Sequence, residues 1–551
     1  MVLRTIATGI LLTAGAFAQM SSFPKPNYFR ETFQSAQTKV QLRDPVKLKD
    51  FVVDGKLELN LKHFLELVMS NNTDIQIQML SLEVPKNAIQ MALGNFDPLA
   101  RASFSTTRST SLPSSALDAR TTSESKSLSQ PYSLTYSQTL ESGTSYAVSF
   151  SGAKTSTNNG FNFYNPSLTT GLNFSVTQPL IRNRGLYVNR IPIMSAQSNL
   201  KISEYMLTSQ ILNLVNTAEN AYWNVISARE TLAVQEKARD VAAEYLKYMQ
   251  QQLDLGALSP LDIFNPKQRL AAAEVSVSQA KFNLLQAEDT LRHQVGADLD
   301  PQVRILPITL TESVDLGPAE NITVDREQEV DKALKINPSI LAASQKLDVD
   351  DLGIQSAKNG LLPSLSLNAQ YTANGRGGIY YPASSSLVSD GTSGAIVAIP
   401  GGIADSLSQM FGFGYPTYQA GLTLSLPIRS RAASATMANA VVQKKQDALT
   451  LRNAQQNIRL NILTAVTTLE GAKEQLKLAI IQKDFADKNL DAENQKYKLG
   501  TETNQNVLQA QADLASAELT VVNSQIAVRT RLLNLLTQTG ELLDERGIVV
   551  K

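Results

Sequence analysis

The chain has 551 residues, no cysteine, two histidines and one tryptophan, and its 50 basic residues balance 50 acidic ones. Absence of cysteine excludes disulfides, thiolate metal sites, thiol nucleophiles and lipid anchors attached through cysteine. Zero net charge offers no bulk attraction for nucleic acid, His63 and His293 are too few for a multi-histidine metal site, and a 43% hydrophobic fraction is too low for a bundle of membrane helices.

The first segment reads as a targeting signal. Arg4 precedes an apolar run from Ile6 to Ala18, and Ala16-Phe17-Ala18 fits an A-x-A cleavage site. Such a run is too short to span a bilayer as a helix, so residues 1–18 are expected to be a secretory signal peptide. Residues 19–56 are polar, with several prolines and no firm periodicity, and are expected to be an N-terminal extension. No later stretch holds 18 consecutive apolar residues, so a membrane-spanning part would have to be a β-barrel.

From there the chain repeats itself. Asn72-Thr73-Asp74-Ile75 is echoed by Asn337-Pro338-Ser339-Ile340, and Pro98 by Pro363, both 265 positions on. Gln178-Pro179-Leu180-Ile181-Arg182 is echoed by Leu426-Pro427-Ile428-Arg429. Leu255-Gly256-Ala257 is echoed by Leu499-Gly500-Thr501, and Leu270-Ala271-Ala272-Ala273-Glu274 by Leu514-Ala515-Ser516-Ala517-Glu518. Five echoes in one order mark a single duplication rather than a short-repeat array. The expected units are residues 57–300 and 326–540, with a linker at 301–325 and a tail at 541–551.

Each unit reads in the same order. A helix comes first, over 59–95 and 326–360, ending before Pro98 or Pro363. Segments of period two follow, over about 99–178 and 363–428. Leu172, Phe174 and Val176 alternate with Asn173, Ser175 and Thr177, and Leu422, Leu424 and Leu426 alternate with Thr423 and Ser425. Tyr132 to Phe150 reads as a further hairpin turning at Glu141-Ser142-Gly143-Thr144, with no position in a sheet indicated. The Gly-rich stretch from 375 to 414, with Ala395-Ile396-Val397-Ala398-Ile399, reads as a long loop. Long helices then cover about 188–255 and 432–499, each about 100 Å at 1.5 Å per residue. Ile458, Ile462, Ala465, Leu469, Ala472, Leu476 and Ile480 form a coiled-coil-like stripe. A return helix completes each hairpin, over 188–296 and 432–538. At the first tip Gly256 suits a left-handed position, Ser259 a helix cap and Pro260 the first helical position; Gly500, Thr503 and Asn506 match them.

Strands with one apolar face and one of Ser, Thr, Asn and Gln fit a barrel wall. Alternation alone fits a soluble β-sandwich as well; the signal peptide and the long helices favour the wall. With two strands in the second unit and two to four in the first, one chain falls short of the eight a membrane barrel needs, so a membrane reading requires an oligomer.

With the repeat assembled, the sequence resembles the TolC-like outer-membrane efflux protein family over about residues 57–540. The marks are the Asn-Thr-Asp-Ile and Asn-Pro-Ser-Ile starts, Leu361 to Leu367, Thr177 to Arg182, Ala221-Tyr222-Trp223 and the two Leu-Gly hairpins. The resemblance implies a mixed α and β fold, internally duplicated. Long helices form a coiled-coil barrel, the periplasmic tunnel, joined to a transmembrane β-barrel shared between the chains of a homotrimer. Each chain would give four strands to a twelve-stranded wall. It implies an outer-membrane channel of a tripartite efflux or type I secretion system. Such a channel passively conducts drugs, other small molecules or proteins, and works with a periplasmic adaptor and an inner-membrane transporter.

The resemblance also places adaptor docking at the tips: Gly256, Ala257, Leu258 and Ser259, with Gly500, Thr501, Glu502 and Thr503. It places an entrance gate at Asp262 and Tyr497, where the basic gate partner is replaced by Glu502. Pore-lining positions fall on Asn506 and Gln509, amides where a carboxylate ring would bind cations more strongly. Asp262 equally fits a helix cap, and Tyr497 and Trp223 fit packing roles. No G-x-S-x-G, P-loop, H-E-x-x-H or GxGxxG pattern stands in a strand–helix setting, so no enzyme and no cofactor are expected. The structural rival is a periplasmic coiled-coil adaptor, which would lack the duplicated strand pairs.

Overall fold

The structure, a computed structural model, describes residues 48–53, 55–112, 123–158, 162–256, 259–297, 304–313, 324–381, 399–499, 501 and 503–549. They belong to one unit, Lys47–Lys551. The expected signal peptide, most of the N-terminal extension and residues 382–398 of the Gly-rich stretch lie outside them.

In chain order, β1 (Val52–Val53) and β2 (Lys56–Leu59) precede three short helices, α1 (Leu61–Asn71), α2 (Thr73–Ser81) and α3 (Glu83–Leu93). Five strands follow: β3 (Leu99–Phe104), β4 (Thr107–Ser111), β5 (Ser125–Thr139), β6 (Ser145–Thr157) and β7 (Tyr164–Pro179). The first hairpin is α4 (Leu186–Asp254) and α5 (Phe264–Gln294). After β8 (Ile308–Leu310), the second unit runs α6 (Arg326–Ile336), α7 (Pro338–Leu361), β9 (Ser364–Tyr380), α8 (Ile403–Phe411) and β10 (Tyr415–Ser425). It closes with the hairpin α9 (Arg431–Lys498) and α10 (Asn504–Thr539), then α11 (Leu542–Glu545). No described helix is long and apolar enough to cross a membrane.

The opening helix of each unit, read as continuous, is broken at its asparagine. Asn72 leaves helical geometry with ψ 122° and its side chain accepts from the amides of Asp74 and Ile75. Asn337 does the same with ψ 121°, accepting from Ser339 N, with Pro338 at the first helical position. A side-chain oxygen that satisfies free first-turn amides makes restarting the helix as favourable as continuing it. The other end of each amide reaches across the fold. Asn72 Nδ2 donates to the Gln294 carbonyl at 3.0 Å and Asn337 Nδ2 to the Gln538 carbonyl at 2.9 Å. Each asparagine therefore ties the start of its unit to the last turn of its own returning helix. Gly296 and Gly540, at φ 68° and 92°, end those helices in left-handed turns beside Asn71 and Asn337.

The end of the expected extension and part of the expected linker come together as one sheet, β1-β2-β8. Leu57 and Leu59 pair in parallel with Ile308 and Leu310, and all four are buried. Four-residue and three-residue strands carry too little alternation to be recognised one at a time. Tyr222 of α4, fully buried, donates its hydroxyl to Leu59 O at 3.2 Å. Beside it Glu219, 1% exposed, holds Arg546 through both carboxylate oxygens at 2.9 and 2.6 Å, so the C-terminal tail is pinned to the first hairpin.

Along α9 the expected stripe is buried from Ile458 to Leu476, packed with Val330, Ala333 and Ile340 of α6 and α7 and with Val528 and Leu535 of α10. Ile480 departs from it and is exposed, while Ala479 beside it is buried. The large sheet has the order β10-β9-β7-β6-β5-β3, every pairing antiparallel, with β4 also on β5. The 132–153 hairpin therefore lies inside the sheet, between β3 and β7. The Gly-rich stretch is in part regular: β9 runs on to Tyr380, and α8 packs on β7 and β9, where a Cβ at Gly375 would overlap the Ser406 carbonyl.

Candidate functional site

Two places hold the candidate sites, the sheet and the hairpin tips. Across the sheet, paired residues share a face. One face holds the row Ala100, Tyr136, Val148, Phe174, Tyr371 and Tyr418, and beside it Ala102, Leu134, Phe150, Leu172 and Ala373. Its rings touch from strand to strand: Tyr132–Phe150 at 5.8 Å, Phe174–Tyr371 at 6.3 Å and Tyr371–Tyr418 at 5.1 Å. Such cross-strand aromatic pairs stabilise a sheet.

The opposite face is a ladder of small polar groups. Ser103 meets Ser133 at 2.8 Å, Thr135 meets Ser149 at 3.2 Å, and Thr372 donates to Asn173 at 3.1 Å. Thr177 donates to Asn368 at 3.0 Å, and Asn368 to Thr423 at 3.1 Å. The sheet thus has one apolar aromatic face and one hydroxyl-amide face, the two-sided pattern of a barrel wall.

At the first tip, Gly256 has φ +71° and no neighbour within 4 Å of a would-be Cβ, so its glycine serves the left-handed turn. Its amide donates to Leu253 O at 2.9 Å. Ser259 and Asp262 form a small box: Ser259 N donates to Asp262 Oδ2 at 3.3 Å and Leu261 N to the Ser259 hydroxyl at 3.3 Å. The box closes a turn over 260–263 and the helix starts only at Phe264, so Pro260 precedes the helix instead of opening it. At the second tip the helix starts at once, with Thr503 in the capping geometry at ψ 148° and Asn504 first. Thr501 closes the outgoing helix, its amide and hydroxyl both donating to Lys496 O at 3.1 Å. Ala257, Leu258, Gly500 and Glu502 lie outside the described residues.

Asp262 and Tyr497 engage different neighbours within the chain. Asp262 serves the Ser259 turn, while the Tyr497 hydroxyl stands 3.5 Å from that of Tyr248 on α4, the rings edge to face at 6.4 Å. Burial, then the contact with Tyr248, pushes the Tyr497 phenol up to about 12, so it is neutral at any physiological pH. Asn506 and Gln509 are exposed three residues apart on α10, and Gln509 Nε2 donates to Asp513 at 2.8 Å.

Sequence reasoning missed two features of the tips. Tyr248 lies eight residues before Gly256 whereas Tyr497 lies three before Gly500, so the repeat does not align the two tyrosines and only the fold brings them together. The tips also expose a set of large apolar side chains, Leu255, Leu261, Phe264 and Leu499, each at least 64% accessible. Clustered exposed apolar side chains of this kind mark a candidate interaction surface.

Comparison with known proteins places this geometry. A family model described as outer membrane efflux protein matches residues 98–297 and 330–541. The outer membrane efflux protein BepC of Brucella suis biovar 1 (strain 1330) is 24% identical over 362 residues, covering 64% of this chain and 71% of that one. The outer membrane protein TolC of Escherichia coli (strain K12) is 25% identical over 349 residues, covering 61% and 63%. The Campylobacter jejuni CmeC outer membrane channel superimposes with a TM-score of 0.58 over 92% of this chain and 91% of that one, at 16% identity.

Proposed function

The chain belongs to the outer membrane efflux protein family, and from that premise we propose that it is the outer-membrane channel of a tripartite efflux or type I secretion system. The observation that carries the reading is the two-faced antiparallel sheet, open at both edges, continuous with helices of 69 and 68 residues. A sheet edge in lipid leaves its amides and carbonyls unsatisfied, so other copies must close the wall. The helices point the same way. Val275 and Phe282 on α5, and Leu449, Leu460, Leu478 and Phe485 on α9, are exposed in the single chain. Packed between three copies they line the seams of a helical tunnel reaching into the periplasm.

The hairpin tips take the adaptor. Ser259, Gly256, Thr501 and Thr503, with Ala257, Leu258, Gly500 and Glu502, form the docking turns, and the exposed leucines and Phe264 supply the apolar contact. Asp262 and Tyr497 hold the entrance narrow, and Asn506 and Gln509 line it with amides. The inner-membrane transporter selects the cargo, and the channel conducts it passively to the exterior.

Purified in detergent and reconstituted in planar bilayers, the full chain is expected to be a trimer that conducts ions. Asp262→Ala is expected to raise single-channel conductance severalfold by loosening the first tip. A monodisperse monomer without conductance would sink the channel reading. Unchanged conductance in Asp262→Ala would sink only the gate.

A further inference from the structure

We propose that each chain contributes six strands to the wall, so that the trimer proposed above closes an eighteen-stranded barrel. In it, β10 of one copy pairs with the β3–β4 lane of the next. The inference rests on the trimeric channel reading and differs from the four strands per chain that the family resemblance implies.

The hairpin of β5 and β6 is built into the sheet. It pairs on one side with β3 from Leu99↔Ser137 to Phe104↔Tyr132 and on the other with β7 from Ser145↔Thr177 to Thr155↔Ser167. Its own pairing runs unbroken from Ser127↔Thr157 to Thr139↔Ser145. Each of these strands has at least 13 residues, more than the 9–11 that cross a bilayer. The closed end at 140–144 sits where the strands meet the helices: Arg190 of α4 holds Glu141 at 2.7 Å, and Gly185 N donates to Ser142 O at 3.2 Å. The hairpin therefore spans the same height as its neighbours.

β3 and β4 are one lane. Phe104↔Tyr132 and Thr107↔Ser129 keep one register against β5, and the break falls opposite Pro131, which has no amide hydrogen to donate. Both faces run through the inserted strands without a change of sign: Ser133, Thr135, Ser149 and Ser151 on the polar side, Leu134, Tyr136, Val148 and Phe150 on the apolar side.

The partner for the edges is a second copy of this chain. Every residue of β3, β4 and β10 is exposed, whereas the strands between them are mostly half-covered. β3 leaves the helical layer and β10 returns to it, so the two edges run in opposite directions. Joining them extends the antiparallel order and keeps each face on its own side. Six strands cannot close alone. With strands about 4.8 Å apart and tilted about 40°, eighteen strands give a backbone radius of about 18 Å, against about 12 Å for twelve. A wall that wide encloses an open aqueous channel, in keeping with cargo selection by the transporter.

The cysteine-free chain makes the test direct. Single cysteines replace Ser133, Thr135, Ser149 and Ser151, or Leu134, Tyr136, Val148 and Phe150, in the full-length protein in lipid nanodiscs. A charged, membrane-impermeant maleimide is expected to label the first set at least tenfold faster than the second. In parallel, Arg101→Cys is paired in turn with Thr417→Cys, Gln419→Cys and Thr423→Cys. Oxidation is expected to give a covalent ladder up to three chains for at least one pair. Particle mass is read on every sample. A trimer whose two sets label at equal rates, or that forms no ladder with any pair, overturns the six-strand wall and leaves the channel reading standing. A monomer by mass overturns the trimeric reading itself, and the eighteen strands with it.

Discussion

The two units of this chain agree at the base and disagree at the ends. At the base, Asn72 and Asn337 make the same pair of contacts, capping a helix with one atom and holding a returning helix with the other. At the top, the first unit carries four strand lanes and the second carries two. At the tips, the first interposes a turn over 260–263 and the second starts its helix at Asn504. A junction that fixes the angle between a short helix and a hairpin tolerates little change. An antiparallel sheet accepts an insertion that adds strands in pairs, even between two existing strands, because a hairpin returns the chain to the side it left.

The largest expected effect breaks an asymmetry. The tail follows only the second unit, and Arg546 from it neutralises Glu219 in the first. Arg546→Ala strands a buried carboxylate and is expected to cost about 3–5 kcal/mol in denaturant unfolding. The double variant Glu219→Gln/Arg546→Met should recover most of that loss, and failure to recover would mean that the tail acts through its packing.

Next come the asparagines, which sharpen the similarity. Asn72→Ala and Asn337→Ala each remove a cap and orphan a carbonyl, and each is expected to cost about 1–2 kcal/mol. Equal losses support equal roles. A loss confined to one variant would show that the two junctions only look alike.

Another effect depends on pH and involves a carboxyl of the second unit. Asp350 of α7 is buried against α9, and burial, then Asp447, raises its carboxyl to about 6, with Asp351 adding to this and Lys346 opposing it. A carboxyl raised above its ordinary value favours the folded state while protonated. That contribution is complete below about pH 4 and is lost as pH rises through about 6. Thermal melting should therefore fall between pH 4 and 6, and Asp350→Asn should flatten the slope. An unchanged slope would place the titration elsewhere.

The smallest effect is at the tips. Tyr248→Phe removes one 3.5 Å hydroxyl contact to Tyr497 and is expected to change stability by less than about 0.5 kcal/mol. Its readout is the Tyr497 phenol, which should titrate lower in an ultraviolet pH titration once its neighbour is gone. No movement would leave burial and the nearby Tyr245 as the causes.

Much of this architecture was legible because it rests on local period. The stripe from Ile458 to Leu476, the alternation of Leu172, Phe174 and Val176, and the left-handed Gly256 each follow from a few adjacent residues. What stayed hidden depends on partners distant in sequence. Alternation shows which face Tyr136 shares with Leu134 and says nothing of whether β5 lies beside β3 or outside the sheet. Asn72 reads as a cap from its neighbours, while its second contact, with Gln294, lies 222 residues away. Arg546 looks like an ordinary charge in a tail until Glu219 is found opposite. At the tips, Asp262 accepts from Ser259 N in a turn that ends before the helix begins at Phe264, a contact that its place after Pro260 did not give.

The two asparagine ties also have a mechanical consequence. Each fixes a hairpin near its base, and the 31 residues of α5 then extend about 45 Å to the tip. Over that arm a swing of about 5° at the tied end carries the tip about 4 Å. The hairpin is a lever with a short fulcrum, and small rotations at the base become large displacements at the far end.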